Sequence, residues 1–264
     1  MKSIFLFLTT FIICFSLKAQ TIHYFESFDQ QRIAFEDTGK GNPVLLLHGF
    51  INTGANWRRT QLYKDLIAKG YRVIVPDMRG NGKSDKPHEE KYYQNNAETK
   101  DMMALIKSLH IKDYTVVGYS RGAIIAAKLL SLDKQVKKAV LGGIGQHFTN
   151  PDWDRRKMFE EAFLGKAYMY PDAQGAVKYA KSIGADTLVL GYLQRYQPAT
   201  SPKALASFKG KTMIINGDAD LDNGDPKVLQ GFFKNAKLAI VKGDHNGTYR
   251  TAEFSSEILK FLEE

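Results

Sequence analysis

The chain has 264 residues, 44% of them hydrophobic, with no internal repeat or interdomain linker, so it is long enough for one large domain with a substantial core. Its formal charge of +9 comes from scattered lysines and arginines. That scatter lacks the basic stripe with interleaved aromatics of a nucleic-acid face, so no nucleic-acid partner is expected. The single cysteine, Cys14, excludes a disulfide framework and a thiolate metal site.

Met1-Lys2 supplies a positive start, Ile4 to Leu17 is almost wholly apolar, and Leu17-Lys18-Ala19-Gln20 ends on small or polar residues. This is the layout of a secretory signal peptide over residues 1–20, although Leu17 and Lys18 make an imperfect A-x-A site. The apolar run is about fourteen residues, short of the ~20 that span a membrane. The expectation is a secreted or periplasmic protein without stable membrane insertion after cleavage; an uncleaved anchor is the alternative. Cys14 lies within the run, preceded by Phe11-Ile12-Ile13 rather than the small residues a lipid anchor would want. Without residues 1–20 the charge falls to +7, which reads as a solvated surface. Stability in an oxidising compartment must then come from the core of residues 21–264.

Apolar β-rich runs then alternate with segments of helical period, the pattern of a mainly parallel sheet covered on both faces. Ile22–Phe25 and Arg32–Glu36 form an antiparallel entry, and Pro43–Leu47 is a continuous apolar strand buried on both sides. A helix from Asn56 to Lys69 stops at Gly70, which can take the left-handed C-terminal conformation. Tyr71–Val75 is the next strand, followed by a turn-rich stretch to Pro87 and a helix near Ala97–Leu109. Tyr114–Val117 is the central strand, Ala123–Leu132 the helix after it, and Lys138–Leu141 a further strand. Residues 146–207, aromatic, charged and helical in period, interrupt the alternation and read as a cap inserted above the sheet edge. Thr212–Asn216, Pro226–Lys234, Lys237–Val241 and Thr251–Leu262 complete an α/β fold.

Gly118-Tyr119-Ser120-Arg121-Gly122 follows an apolar strand and opens a helix, the setting of a nucleophile elbow. The flanking glycines allow a sharp turn that lifts the serine hydroxyl above the sheet. The first N–H groups of the helix then lie near any developing oxyanion.

With this motif the chain resembles the α/β-hydrolase superfamily over essentially all of residues 21–264, an eight-stranded, mostly parallel sheet flanked by helices with a small helical cap. Leu47-His48-Gly49-Phe50 resembles the family's His-Gly turn, whose following N–H groups help form the oxyanion hole. Residues 76–87, Pro-Asp-Met-Arg-Gly-Asn-Gly-Lys-Ser-Asp-Lys-Pro, are similar to the D-x-R-G-x-G-x-S stretch of the branch with esterases, epoxide hydrolases and dehalogenases. The resemblance makes Asp77 and Arg79 structural. It implies a Ser-acid-His order, which selects His245 over His23, His48, His88, His110 and His147. The turn after Leu141 has no carboxylate, while residues 216–222 are rich in them. The family's G-x-x-D pattern selects Asp220, with Asp218 as runner-up; Asp222 and Asp225 would solvate the loop or cap the next helix. The spacing lacks the rest of an EF-hand loop, so neither metal nor cofactor is expected.

The resemblance implies acyl transfer on a small-molecule ester by Ser120, His245 and Asp220, with the Phe50 and Arg121 N–H groups as oxyanion hole. Dehalogenase and epoxide hydrolase chemistry is disfavoured, because similar enzymes carry aspartate where this chain has Ser120. Lactonase and carbon–carbon bond hydrolase activities share the triad, and an iminopeptidase-like peptidase would need cap acids such as Glu160 and Glu161. A non-catalytic ligand-binding member of the fold is the reading from another class. Arg121 departs from the family pattern after the nucleophile, and a structural ion pair is favoured over substrate recognition for its side chain. Among the cap aromatics and nearby loop, His147, Phe163, Tyr168 and Tyr192 are the substrate-binding candidates.

Overall fold

The computed structural model describes residues 21–220 and 222–264; the expected signal segment lies outside them. β1 (His23–Glu26), β2 (Arg32–Thr38) and β3 (Pro43–Leu47) open the chain, followed by α1 (Ala55–Arg58), α2 (Gln61–Ala68), β4 (Arg72–Pro76) and α3 (Ala97–Ser108). β5 (Tyr114–Tyr119), α4 (Arg121–Leu132) and β6 (Val136–Gly142) form the centre. Then come α5 (Asp154–Glu161), α6 (Pro171–Ser182), α7 (Thr187–Arg195) and α8 (Pro202–Ser207) before β7 (Lys211–Gly217), α9 (Pro226–Gln230), β8 (Ala236–Val241) and α10 (Ala252–Glu263).

The eight strands form one sheet in the order β1-β2-β4-β3-β5-β6-β7-β8. β1–β2 and β2–β4 pair antiparallel, and the remaining pairs are parallel. This is the eight-stranded, mostly parallel sheet that the alternating pattern expects. Continuous apolar runs arise because successive side chains point to opposite faces and both faces are covered. Leu45, Leu47, Val116 and Leu141 pack against α3, α4 and α8. Their neighbours Val44, Leu46, Val117 and Val140 pack with Trp57, α2 and α10 on the other face.

Two helices differ from the sequence reading. The helix expected over 56–69 is broken into α1 and α2, because the Thr60 hydroxyl donates to the Trp57 carbonyl at 2.6 Å and accepts from the Tyr63 N–H at 3.2 Å. Thr60 thus caps a new start rather than continuing the old helix. The helix expected over 226–234 stops at Gln230, before Gly231, whose backbone freedom disfavours a helix interior. Its start is as the residues imply, with Pro226 in the first turn and the Asp225 side chain accepting from the Lys227 N–H.

The helices α5–α7 share an apolar core of their own, including Phe163, Val177, Val189 and Leu193, which also takes in Ile51 and Tyr93 from outside the insertion. No helix among the described residues is long and apolar enough to cross a membrane.

Candidate active site

Ser120 stands between β5 and α4 at φ 53°, ψ −122°, a backbone region that side-chain-bearing residues rarely occupy. Close backbone contact over-determines this turn. A Cβ on Gly118 would lie 2.3 Å from the Gly122 carbonyl oxygen, and one on Gly122 would lie 2.2 Å from the Leu47 carbonyl oxygen. The Ser120 N–H also donates to the Gly142 carbonyl at 2.8 Å. β3, β5, β6 and α4 therefore meet at Ser120.

That hydroxyl lies 2.9 Å from His245 Nε2. On the other side of the ring, His245 Nδ1 lies 2.9 and 3.0 Å from the two Asp220 carboxylate oxygens. With Nδ1–H donating to the carboxylate, Nε2 is free to accept from Ser120. The Asp220 side chain is fully buried, whereas His245 keeps partial access to solvent. Asp218, two residues earlier, is exposed, and its carboxylate accepts from the Gly243 N–H at 3.0 Å, tying together the ends of β7 and β8.

Tyr119 supports this arrangement and was missed in the sequence. Its hydroxyl donates to the His245 carbonyl at 2.9 Å and lies 3.5 Å from Asp220 Oδ2. Its ring lies 5.5 Å from the His245 ring, centroid to centroid. Burial, reinforced by the Asp220 charge, pushes the phenol well above its ordinary range and keeps it a donor. The G-x-S-x-G motif leaves this position open, so only packing could reveal its part.

The His-Gly turn sits beside Ser120, since a Cβ on Gly49 would lie 3.5 Å from Ser120 Cβ. Buried His48 fixes the turn. Its Nε2 accepts from the Met78 N–H at 3.0 Å, so Nδ1 carries the proton that reaches the Gly49 carbonyl at 2.9 Å. Burial lowers the His48 pKa, consistent with the neutral ring this acceptor role demands. Phe50 and Arg121 both line the cavity around Ser120. Arg121 is the first residue of α4, where N–H groups have no intrahelical acceptor.

Asp77 and Arg79 are structural. Asp77 accepts from the Gly54 and Lys83 N–H groups at 2.7 and 2.8 Å. Arg79 is fully buried, and its guanidinium bonds Asp101 and Asp29 at 2.5–2.8 Å. The Arg121 side chain turns from Ser120 into a buried pair with Glu98 and donates to the Leu193 carbonyl at 2.7 Å. The ion-pair reading of Arg121 is the one its geometry fits.

The cavity over Ser120 and His245 has a volume of about 580 Å³, within the range of small-molecule sites. None of His147, Phe163, Tyr168 and Tyr192 is among the residues that line it, which corrects the sequence reading. Phe163 is buried inside the α5–α7 core, edge-on to Phe50 at 5.1 Å. Tyr192 packs on Tyr93 in that same core, Tyr168 is 77% exposed, and exposed His147 lies against Trp153. Helical periodicity cannot distinguish a face turned to a cavity from one turned to a core. The aromatic lining comes instead from Phe50, Tyr119, Trp153, Phe159, Tyr179 and Tyr249. Glu160 bonds Arg195 at 2.8 Å and Glu161 bonds Tyr170 at 2.6 Å, and neither lines the cavity. Asp222 does line it, paired with Arg155 at 3.2 Å.

A curated epoxide hydrolase from Caballeronia sordidicola is 36% identical over 106 residues, which are 40% of this chain and 32% of that protein. The chain thus spans about a third of that relative's length. A bromoperoxidase from Bacillus anthracis superposes with a TM-score of 0.76 at 25% identity, over 92% of this chain and all of that one. An esterase from Exiguobacterium antarcticum superposes with a TM-score of 0.75 at 22% identity, over 91% of this chain and 99% of that one; this likeness is one of fold. The alpha/beta hydrolase fold family matches residues 42–175, from the start of β3 through the His-Gly turn and the turn at Ser120 and into α6. The chain belongs to the α/β-hydrolase fold family.

Proposed function

We propose that the protein is a serine hydrolase that cleaves a small-molecule ester through an acyl-enzyme intermediate. One observation carries the reading: Ser120 Oγ, His245 and Asp220 form a hydrogen-bonded chain with 2.9 Å links at the wall of a cavity. A serine hydroxyl needs a base, and the base needs a partner that fixes its tautomer. His245 takes the Ser120 proton as the hydroxyl attacks the ester carbonyl, and Asp220 stabilises the resulting imidazolium. The N–H groups of Phe50 and Arg121 receive the oxyanion; one such donor is worth about 3 kcal/mol. The alcohol leaves with the proton from His245, and water activated by the same ring releases the acid. No step calls for a cofactor.

The engagement of Glu160 and Glu161 away from the cavity argues against their holding a peptide amine. The reading also includes export, supported by the signal-like residues 1–20. Incubation with a fluorophosphonate probe and short-chain aryl esters, beside Ser120→Ala, tests the chemistry. Labelling and turnover that vanish together in the variant are expected. Labelling without turnover would point to another scissile bond, such as a lactone or a carbon–carbon bond. No labelling at all would leave a ligand-binding member of the fold.

A further inference from the structure

Two largely buried glutamines line the cavity with their amides unused. Gln194, at the end of α7, is 5% exposed and Gln197, in the following turn, is 7% exposed; both line the cavity. Neither side-chain amide has a hydrogen-bond partner among the described residues. Their amide atoms are not among the buried polar atoms left without a partner, so they open onto the cavity and stay available to a ligand.

The charges around these amides have a sign. Arg155 is neutralised by Asp222. Arg156 spends its outer nitrogens on the Arg195 and Pro151 carbonyls, has its Nε buried without a partner, and forms no ion pair among the described residues. Arg250 also lines the cavity, and among the described residues its side chain bonds only the Tyr249 hydroxyl, over whose ring it lies. Asp172, in the first turn of α6, is the lining carboxylate that forms no ion pair among the described residues. Among the described residues, the lining therefore holds two cations without counter-ions and one carboxylate without an ion pair, together with amides that can donate four N–H bonds between them.

The end of α7 is also rigidly held. Arg121, anchored by Glu98, donates to the Leu193 carbonyl, and Arg156 donates to the Arg195 carbonyl at 3.1 Å. Gln194 lies between these two clamped residues, so the backbone that carries its side chain is fixed before any ligand arrives. Pre-organisation of this kind reduces the entropy lost on binding.

We propose that the Gln194, Gln197 and Arg156 wall recognises a carboxylate carried by the acid moiety of the substrate, so that the preferred ester is a half-ester of a short dicarboxylic acid. The inference rests on Ser120 being the nucleophile. Attack on the ester carbonyl forms the Ser120–acyl bond and releases the alcohol, while the distal carboxylate stays bound and unchanged. Hydrolysis then yields the free dicarboxylic acid.

Two fluorophosphonates of equal chain length, one ending in a carboxylate and one in a methyl group, separate the possibilities. Second-order labelling rates of the whole chain are measured with each probe. The carboxylate probe is expected to react at least tenfold faster, and the ratio is expected to fall at least fivefold in Gln194→Leu and in Arg156→Gln. Thermal unfolding of both variants controls for folding, and the wild-type ratio stands without them. Equal rates, or a methyl preference, overturn the carboxylate inference and leave the serine hydrolase reading intact. Absence of labelling by both probes overturns the nucleophile and this inference with it.

Discussion

The cavity has two walls built by different means. The wall of strand ends, with Ser120, His245 and Asp220, is fixed by backbone contact so close that a single Cβ on Gly118 or Gly122 would collide with a carbonyl. The wall from the α5–α8 insertion is fixed by side chains, with arginines clamping helix carbonyls and aromatics filling a separate apolar core. Backbone contact tolerates few sequences, whereas side-chain packing tolerates many of similar volume. The difference explains why one wall leaves motifs in the sequence and the other does not.

The largest effect should come from Asp220→Asn. The amide cannot hold Nδ1–H toward itself with the same preference, and kcat should fall about 10⁴-fold. Asp218→Asn keeps an acceptor for the Gly243 N–H and should change kcat less than about threefold, within the scatter of surface substitutions. Steady-state rates on an aryl ester decide; the assignment of the acid is wrong if only Asp218→Asn loses activity.

Gly122→Ala attacks the backbone-built wall. Its Cβ would meet the Leu47 carbonyl at 2.2 Å, so β3 and α4 must separate. A stability loss above about 4 kcal/mol in urea unfolding is expected, the range of severe steric disruption. Loss below 1 kcal/mol would show that the elbow can relax.

Glu98→Gln breaks the tie between the walls and leaves the Arg121 charge buried. Removing one partner of a buried pair costs about 3–5 kcal/mol, while replacing both by apolar residues is often neutral. The double variant Arg121→Met, Glu98→Leu should therefore recover most of the loss, and its chemical denaturation curve measures that.

His48 adds a pH signature to the strand-end wall. Its folded pKa is depressed by burial, so the unfolded chain binds a proton that the folded chain refuses. Stability contributed by neutral His48 is complete above about pH 6.5 and declines as pH falls below it. Buried Asp101, whose carboxyl is pushed up to about 6, acts in the opposite sense over part of that range. The difference between wild type and His48→Gln isolates the histidine: the wild type should lose stability more steeply on acidification from pH 7 to 5.

The strand-end wall was legible because its constraints are local in sequence. The buried strands appear as apolar runs, the elbow as glycines around Ser120, and the turn after β7 as a carboxylate cluster in which Asp220 keeps the spacing of similar hydrolases. Thr60 was hidden because a hydroxyl inside a helical pattern reads as solvent-facing until its bond to the Trp57 carbonyl is seen. Tyr119 was hidden because its hydroxyl acts on residues more than a hundred positions away. Gln194 and Gln197 carry no pattern that distinguishes a buried amide from an exposed one.

The smallest effect sharpens the same comparison within the insertion. Tyr168 and Tyr179 are both exposed aromatics of this region, 77% and 52% accessible, and the sequence reading favoured Tyr168 over Tyr179 for substrate binding. Only Tyr179 lines the cavity. Tyr168→Ala should change stability by less than about 0.5 kcal/mol, as at other surface positions, and leave KM unmoved. Tyr179→Ala removes a cavity wall without touching the Ser120–His245 bond, so KM should rise a few-fold with kcat nearly constant, the signature of lost uniform binding. A fall in kcat with constant KM would instead place Tyr179 in transition-state stabilisation. Equal KM for the two variants would mean that Tyr179, although it lines the cavity, takes no part in holding the substrate.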